Sequence, residues 1–155
     1  MALLPDRRPY SYRDDAALAA FDDGGPITVM DGDCALCGFG ARMIARFDHK
    51  DVFRICPAQT DLGTALLRHY ELSPDDPESW LLIVEGRAYA SLDAIIRVGA
   101  LMGGVGHVLW PLKLMPRSVQ DWIYRRIARN RYQMFGRGDM CSLPDPRLKA
   151  RLLLK

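Results

Sequence analysis

Two cysteines separated by two residues, Cys34 and Cys37, are the side chains whose type and spacing most directly carry chemistry in this sequence. A cysteine reacts as its thiolate, and a thiolate is stabilised where a helix begins, because the first backbone N–H groups there lack partners and the helix dipole is positive. A second cysteine three positions on lies on nearly the same helical face, one turn deeper, so a disulfide between the two closes without breaking the helix. On this spacing Cys34 is the attacking thiol and Cys37 the resolving one. The same spacing is also half of a zinc site.

The elements around the pair separate these chemistries. Ile27–Met30 is a short β-rich run between turn residues, and Leu36, Phe39, Met43, Ile44 and Phe47 recur at helical spacing over Ala35–Phe47. The pair therefore stands where a strand feeds a helix, the context of a redox dithiol. The second half of a zinc site is missing, since Cys56 is followed by Pro57, Ala58 and Gln59, and His69 and Cys141 would join only through tertiary folding. The redox reading is favoured over zinc and over packing alone. Asp31 and Asp33 flank the pair. An N-cap or turn role is favoured for Asp33, with proton acceptance from Cys37 the functional alternative.

Further along, the pattern predicts a short helix over Asp14–Phe21, a strand at Val52–Ile55 and a helix over Leu62–Tyr70 capped by Thr60 or Asp61. After a loop holding Pro74 and Pro77 come a strand at Ser79–Val84, a turn at Glu85–Arg87 and a short strand at Ala88–Ala90. A helix capped by Ser91 then runs to Met102. A long helix follows Pro116, with Val119, Trp122, Ile123, Ile127 and Tyr132 as its buried stripe and Gly136 as its stop. This β-α-β-α-β-β-α order predicts an α/β fold: a thioredoxin-like mixed four-stranded sheet flanked by helices, with an added C-terminal helical segment. The expected division is an N-terminal extension over 1–25, the domain over 26–144 and a tail over 145–155.

Composition narrows the class. Four cysteines are too few for a disulfide scaffold, and no apolar run suits a leader or a membrane span, so a cytoplasmic setting is expected. The net charge of +2 hides an asymmetry: residues 1–112 carry 10 Lys/Arg against 16 Asp/Glu, and residues 113–155 carry 11 against 3. The basic segment reads as a solvated helix face, with a docking module for a membrane or an acidic partner as the alternative. Cys56 reads as a small core residue, and Trp80, Trp110 and Trp122 as core or groove aromatics. Nothing local brings His49, His69 or His107 to Cys34, and the glycines at 103–106 follow a helix, which is the wrong context for a dinucleotide loop.

Several segments together resemble the DCC family of predicted thiol–disulfide oxidoreductases. They are Asp31-Gly32-Asp33-Cys34-Ala35-Leu36-Cys37, the Pro57–Gly63 segment with Gln59, Ser91-x-x-Ala94, Pro116-Arg117 and Asp121-x-x-Tyr124. The longest run is Ala128–Arg137, followed by Cys141-x-Leu143-Pro144. The resemblance covers residues 26–144 and implies a thioredoxin-like fold and a Cys34/Cys37 dithiol; no cofactor and no metal are expected. The expected partner is a disulfide-containing protein or a small-molecule thiol, and no nucleic acid is expected. Met30 stands where members often carry an aromatic residue, and Gln59-Thr60 replaces a usual Gln-Ser. The resemblance also draws in Gln59, Arg129, Arg131, Arg137 and Cys141. The arginines are read as structural partners of acidic residues, or as an anion site beside the dithiol. Cys141 is either buried or a third redox thiol. Pro74 and Pro77 are the candidates for a cis-proline facing the cysteines.

Overall fold

The computed structural model describes residues 4–75 and 80–153. Its sheet contains β1 (Ile27–Met30), β2 (Arg54–Pro57), β3 (Leu81–Val84) and β4 (Arg87–Tyr89), in the order β2-β1-β3-β4. β1 pairs parallel with β2, and the β1/β3 and β3/β4 pairs are antiparallel. With α1 (Ala35–Phe47) joining β1 to β2, α2 (Asp61–His69) joining β2 to β3, and α3 (Ser91–Met102) following β4, this is the thioredoxin-like arrangement. The long α4 (Arg117–Phe135) and the short α5 (Pro146–Arg151) form the added helical segment.

Strand alternation divides the core between the two faces of the sheet. Ile27, Val29, Cys56, Leu81 and Ile83 point to one face, where Leu62, Leu66 and Leu67 of α2 cover them with Tyr12 from the N-terminal segment. Met30, Ile55 and Leu82 point to the other face, against Ala41 and Ile44 of α1, Ala94 and Val98 of α3, and Leu148 of α5. A smaller cluster of Leu92, Ile96, Tyr124 and Ala128 fastens α4 to α3. Cys37 packs against the second of these clusters, that of Met30, Ile55 and Leu82. At the opposite end of the chain, Leu153 donates its N–H to the Ile55 carbonyl at 2.8 Å, and Leu152 bridges Ile55 on the outer edge of β2.

Four expectations are corrected. In place of a helix over Asp14–Phe21 there is a single 3₁₀ turn at Ser11–Asp14. Asp15 accepts the Ala17 N–H and contacts His69, while Asp23 accepts from Tyr12 Oη, so side chains hold this segment in place of a helical ladder. β2 begins at Arg54 and not at Val52, because Asp48 takes the Phe53 N–H at 2.9 Å and keeps the preceding residues in a loop. Ser91 is the first residue of α3, and Ala90 holds the cap position without a side-chain bond. Finally, Val119, Trp122 and Ile127 of α4 are exposed, and Gln120, Tyr124, Ala128 and Arg131 form its buried face. A helical period shows that a stripe exists, but the partners that turn it inward lie elsewhere in the chain. Here these are the cluster with α3 and an ion pair from Arg131.

Thr60 caps α2 as expected, its hydroxyl accepting the Gly63 N–H at 3.0 Å. Among the described residues no peptide bond is cis, Pro74 included. Pro77 and Ser79 lie outside the described residues.

Candidate functional site

The loop from β1 to α1 places the thiols. Cys34 is itself the N-cap of α1 and no side chain caps that helix, so the expected capping role of Asp33 is not found; Asp33 is exposed. Asp31 organises the turn instead, accepting the Asp33 N–H at 2.8 Å. Gln59 clamps the same loop from the end of β2, its Nε2 donating to Asp31 Oδ1 at 2.6 Å and its Oε1 accepting the Gly32 N–H at 2.9 Å. A Cβ on residue 32 would stand 3.1 Å from Gln59 Oε1 and 3.3 Å from Pro57, which explains the glycine.

The second oxygen of Asp31 is taken from far along the chain. Arg131 Nη2 donates to Asp31 Oδ2 at 2.5 Å, and Tyr132 Oη donates to the same atom. Arg137 lies over the Tyr132 ring, 4.6 Å from its centroid. Burial pushes the Asp31 carboxyl up, but the bonds from Tyr132, the Asp33 backbone, Gln59 and Arg131 outweigh it and hold the carboxyl below the ordinary range. Burial and the bond to Asp31 raise the Tyr132 phenol. Sequence reasoning reached Asp31, Gln59, Arg131 and Arg137. It missed Tyr132 as a site residue, although Tyr132 adjoins Arg131 within the same motif. Arg129 stands on the exposed side of α4.

The two thiols differ sharply. Cys34 is brought down to about 6, chiefly by the hydrogen bond from the Cys37 thiol. The backbone N–H groups of Cys37 and Leu36 and the charge of Arg131 add to this, against a burial effect that opposes it. Cys37 is pushed up by sharing that hydrogen bond with Cys34, by burial and by the neighbouring negative charge. One proton is thus held between two sulfurs at a helix N-terminus, with a guanidinium beside them. Cys56 belongs to the opposite face of the sheet, where burial raises its thiol to about 11 and it acts as a core residue. Of the other residues considered for zinc, His69 contacts Ser11 Oγ and Asp15 Oδ2, each at 2.8 Å. The Cys141 side chain lies outside the described residues.

Access to the thiols is uneven. Cys34 is only 1 % exposed. The chain after α4 lies against it: the Ala35 N–H reaches the Gly136 carbonyl at 3.3 Å, the Gly138 N–H reaches the Asp33 carbonyl at 2.9 Å and the Met140 N–H reaches the Gly32 carbonyl at 2.8 Å, with Arg137 bridging Cys34. Cys37 is half-buried and faces a groove of about 560 Å³ between α1, α3, α4 and the 3₁₀ segment Gly104–Leu114. Its walls are almost wholly apolar, with Asp31 and Arg131 its only charged residues among those described. Trp80 lines this groove, in keeping with expectation, whereas Trp110 and Trp122 are exposed. No described helix is long and apolar enough to cross a membrane.

Comparison with known proteins points to one family. The model of the DCC1-like thiol-disulfide oxidoreductase family matches residues 28–137. The chain is 31% identical over 127 residues to the uncharacterized protein YuxK of Bacillus subtilis, covering 82% of this chain and 93% of that protein. It is 32% identical over 123 residues to the DCC family protein At1g52590, chloroplastic, of Arabidopsis thaliana, covering 79% of this chain and 72% of that protein. No solved structure matches significantly.

Proposed function

The chain belongs to the DCC1-like thiol-disulfide oxidoreductase family, and on that premise we propose that it exchanges disulfides through Cys34 and Cys37. The observation that carries this reading is the asymmetric thiol pair at the start of α1, with Cys34 down to about 6 and Cys37 raised. At neutral pH Cys34 is then mostly thiolate and Cys37 mostly thiol.

In the reducing direction the Cys34 thiolate attacks one sulfur of a substrate disulfide. The substrate S–S bond breaks, a mixed disulfide forms and the first substrate thiolate leaves. Cys37 then gives up its proton and attacks the Cys34 sulfur. The Cys34–Cys37 disulfide forms and the second substrate thiolate leaves, so two electrons pass from the protein to the substrate. The cell's thiol pool supplies the electrons that restore the dithiol. Arg131 stabilises charge on either sulfur as it develops. Asp31, tied up by four hydrogen bonds and held ionised, positions Arg131 and the loop and is a poor proton acceptor. The substrate is a protein disulfide or a small-molecule disulfide, and a reducing compartment such as the cytoplasm suits the reductase direction.

The test is a trapping experiment with a disulfide-containing protein. Cys37→Ser should accumulate a mixed disulfide through Cys34, and Cys34→Ser should trap none. Trapping by Cys34→Ser, or no exchange by the reduced wild-type protein with any disulfide, would contradict the proposal.

A further inference from the structure

We propose that the 3₁₀ segment Gly104–Leu114 and the outer side of α4 form a docking face for an anionic membrane surface. The face is apolar where a soluble surface normally is not. Leu114 is 76 % exposed, Val108 72 %, Trp122 65 % and Trp110 53 %. Scattered single exposures are ordinary, but four large apolar side chains, two of them tryptophan, on two adjoining segments are not. The two segments are fastened together: Gln120 Nε2 donates to the Leu112 and Met115 carbonyls at 3.2 and 2.8 Å. Val119 continues the exposed stripe of α4 at helical spacing from Trp122.

Charge decides what covers this face. Apart from Arg131, which is buried against Asp31, residues 104–135 hold five Lys or Arg and one acidic residue, Asp121. Lys113 lies between Trp110 and Leu114, Arg117 opens α4, and Arg126 follows Trp122 by one turn; all three are exposed. A second copy of the chain would bring this basic surface against itself, with like charges opposed. An anionic lipid surface complements it: the cations meet headgroups, the tryptophan rings lie at the interface, and the apolar side chains enter the acyl boundary. The face is also continuous with the groove of the dithiol, since Val108 belongs to both. Docking in this way turns the groove mouth toward the lipid. The contact is peripheral and requires no spanning helix.

The experiment is co-sedimentation of the full-length reduced protein with vesicles of pure phosphatidylcholine, or of phosphatidylcholine containing phosphatidylglycerol. Three variants are compared: Trp110→Ser/Trp122→Ser, Lys113→Gln/Arg117→Gln/Arg126→Gln and Cys34→Ser. The wild type should sediment with the anionic vesicles only, and molar salt should release it. The charge variant should lose about a hundredfold in partitioning, at about fivefold per cation. The tryptophan variant should lose at least about tenfold and keep its circular dichroism and its disulfide exchange. Cys34→Ser should lose exchange and sediment normally, so failure of docking and failure of the redox reading are told apart. Equal binding to neutral vesicles, or none to anionic ones, overturns the proposal. So does a wild-type dimer that the tryptophan variant abolishes, or tighter binding to single-stranded nucleic acid than to anionic vesicles.

Discussion

The Asp31 carboxylate and the Arg131 guanidinium, one hundred positions apart, form a buried ion pair at 2.5 Å beside the two thiols. The pair ties the loop that carries Cys34 to the helix added after the thioredoxin-like core. Removing one member leaves the other charge buried. Asp31→Asn should therefore destabilise the protein by about 3–5 kcal/mol in urea unfolding. The double variant Asp31→Asn/Arg131→Met should recover much of that loss, because it removes the uncompensated charge. A double variant no more stable than Asp31→Asn would contradict the coupling.

The causes of the Cys34 shift rank in a testable order. The hydrogen bond from Cys37 is the largest, and the Arg131 charge comes after the backbone N–H of Cys37. Cys37→Ala should return the Cys34 thiol toward its ordinary value of about 8.5. Arg131→Met should raise it by less. Thiolate absorbance against pH reads both, and a larger effect from Arg131→Met would reverse the ranking.

Stability of the reduced protein should follow pH in two opposite senses. Cys34 ionises more readily folded than unfolded, so its contribution is absent below about 6 and grows until the unfolded thiol ionises near about 8.5. Cys37 is raised in the folded state, so its contribution is complete below about 8.5 and falls as pH rises further. Stability should therefore climb from pH 6, peak near about 8.5 and decline above. Cys34→Ser/Cys37→Ser should abolish the rise between pH 6 and about 8.5 and make the decline above it shallower, leaving the part that the buried Cys56 thiol causes. Urea midpoints of both proteins across this range test it.

Gly136 governs the cover over Cys34. Its φ of 80° and ψ of −177° lie in a region that is essentially glycine-only. Gly136→Ala should cost about 1–3 kcal/mol and loosen the contacts that hold 136–140 on the Gly32–Ala35 backbone. Cys34 should then react faster with a neutral alkylating reagent at a pH where it is already ionised, while the buried Cys56 is unchanged. An unaltered rate would mean that this segment does not limit access.

The strand–CxxC–helix unit and the order of the sheet were legible because they rest on local patterns: a β-rich run, a helical stripe and turn residues between them. The α4 face was not legible, because Val119, Trp122 and Ile127 have the same spacing as a buried stripe and only tertiary partners decide which side turns inward. Asp33 and Asp31 were exchanged for a related reason. Asp33 is the nearer of the two acids to the helix start in sequence, but only Asp31 meets Gln59, Arg131 and Tyr132, which come from distant segments. The apolar groove and the cover over Cys34 were invisible to sequence reading because three helices and a C-terminal segment build them together.

The central claim is an acidic Cys34 thiol paired with a basic Cys37 thiol. Thiolate absorbance of the reduced wild-type protein, titrated against Cys34→Ser, tests it most directly. One thiolate should appear with a midpoint near 6. It should be absent from Cys34→Ser, and no second ionisation assignable to Cys37 should appear below about 9. A midpoint at or above about 8.5, or a low midpoint that survives in Cys34→Ser, would contradict the account.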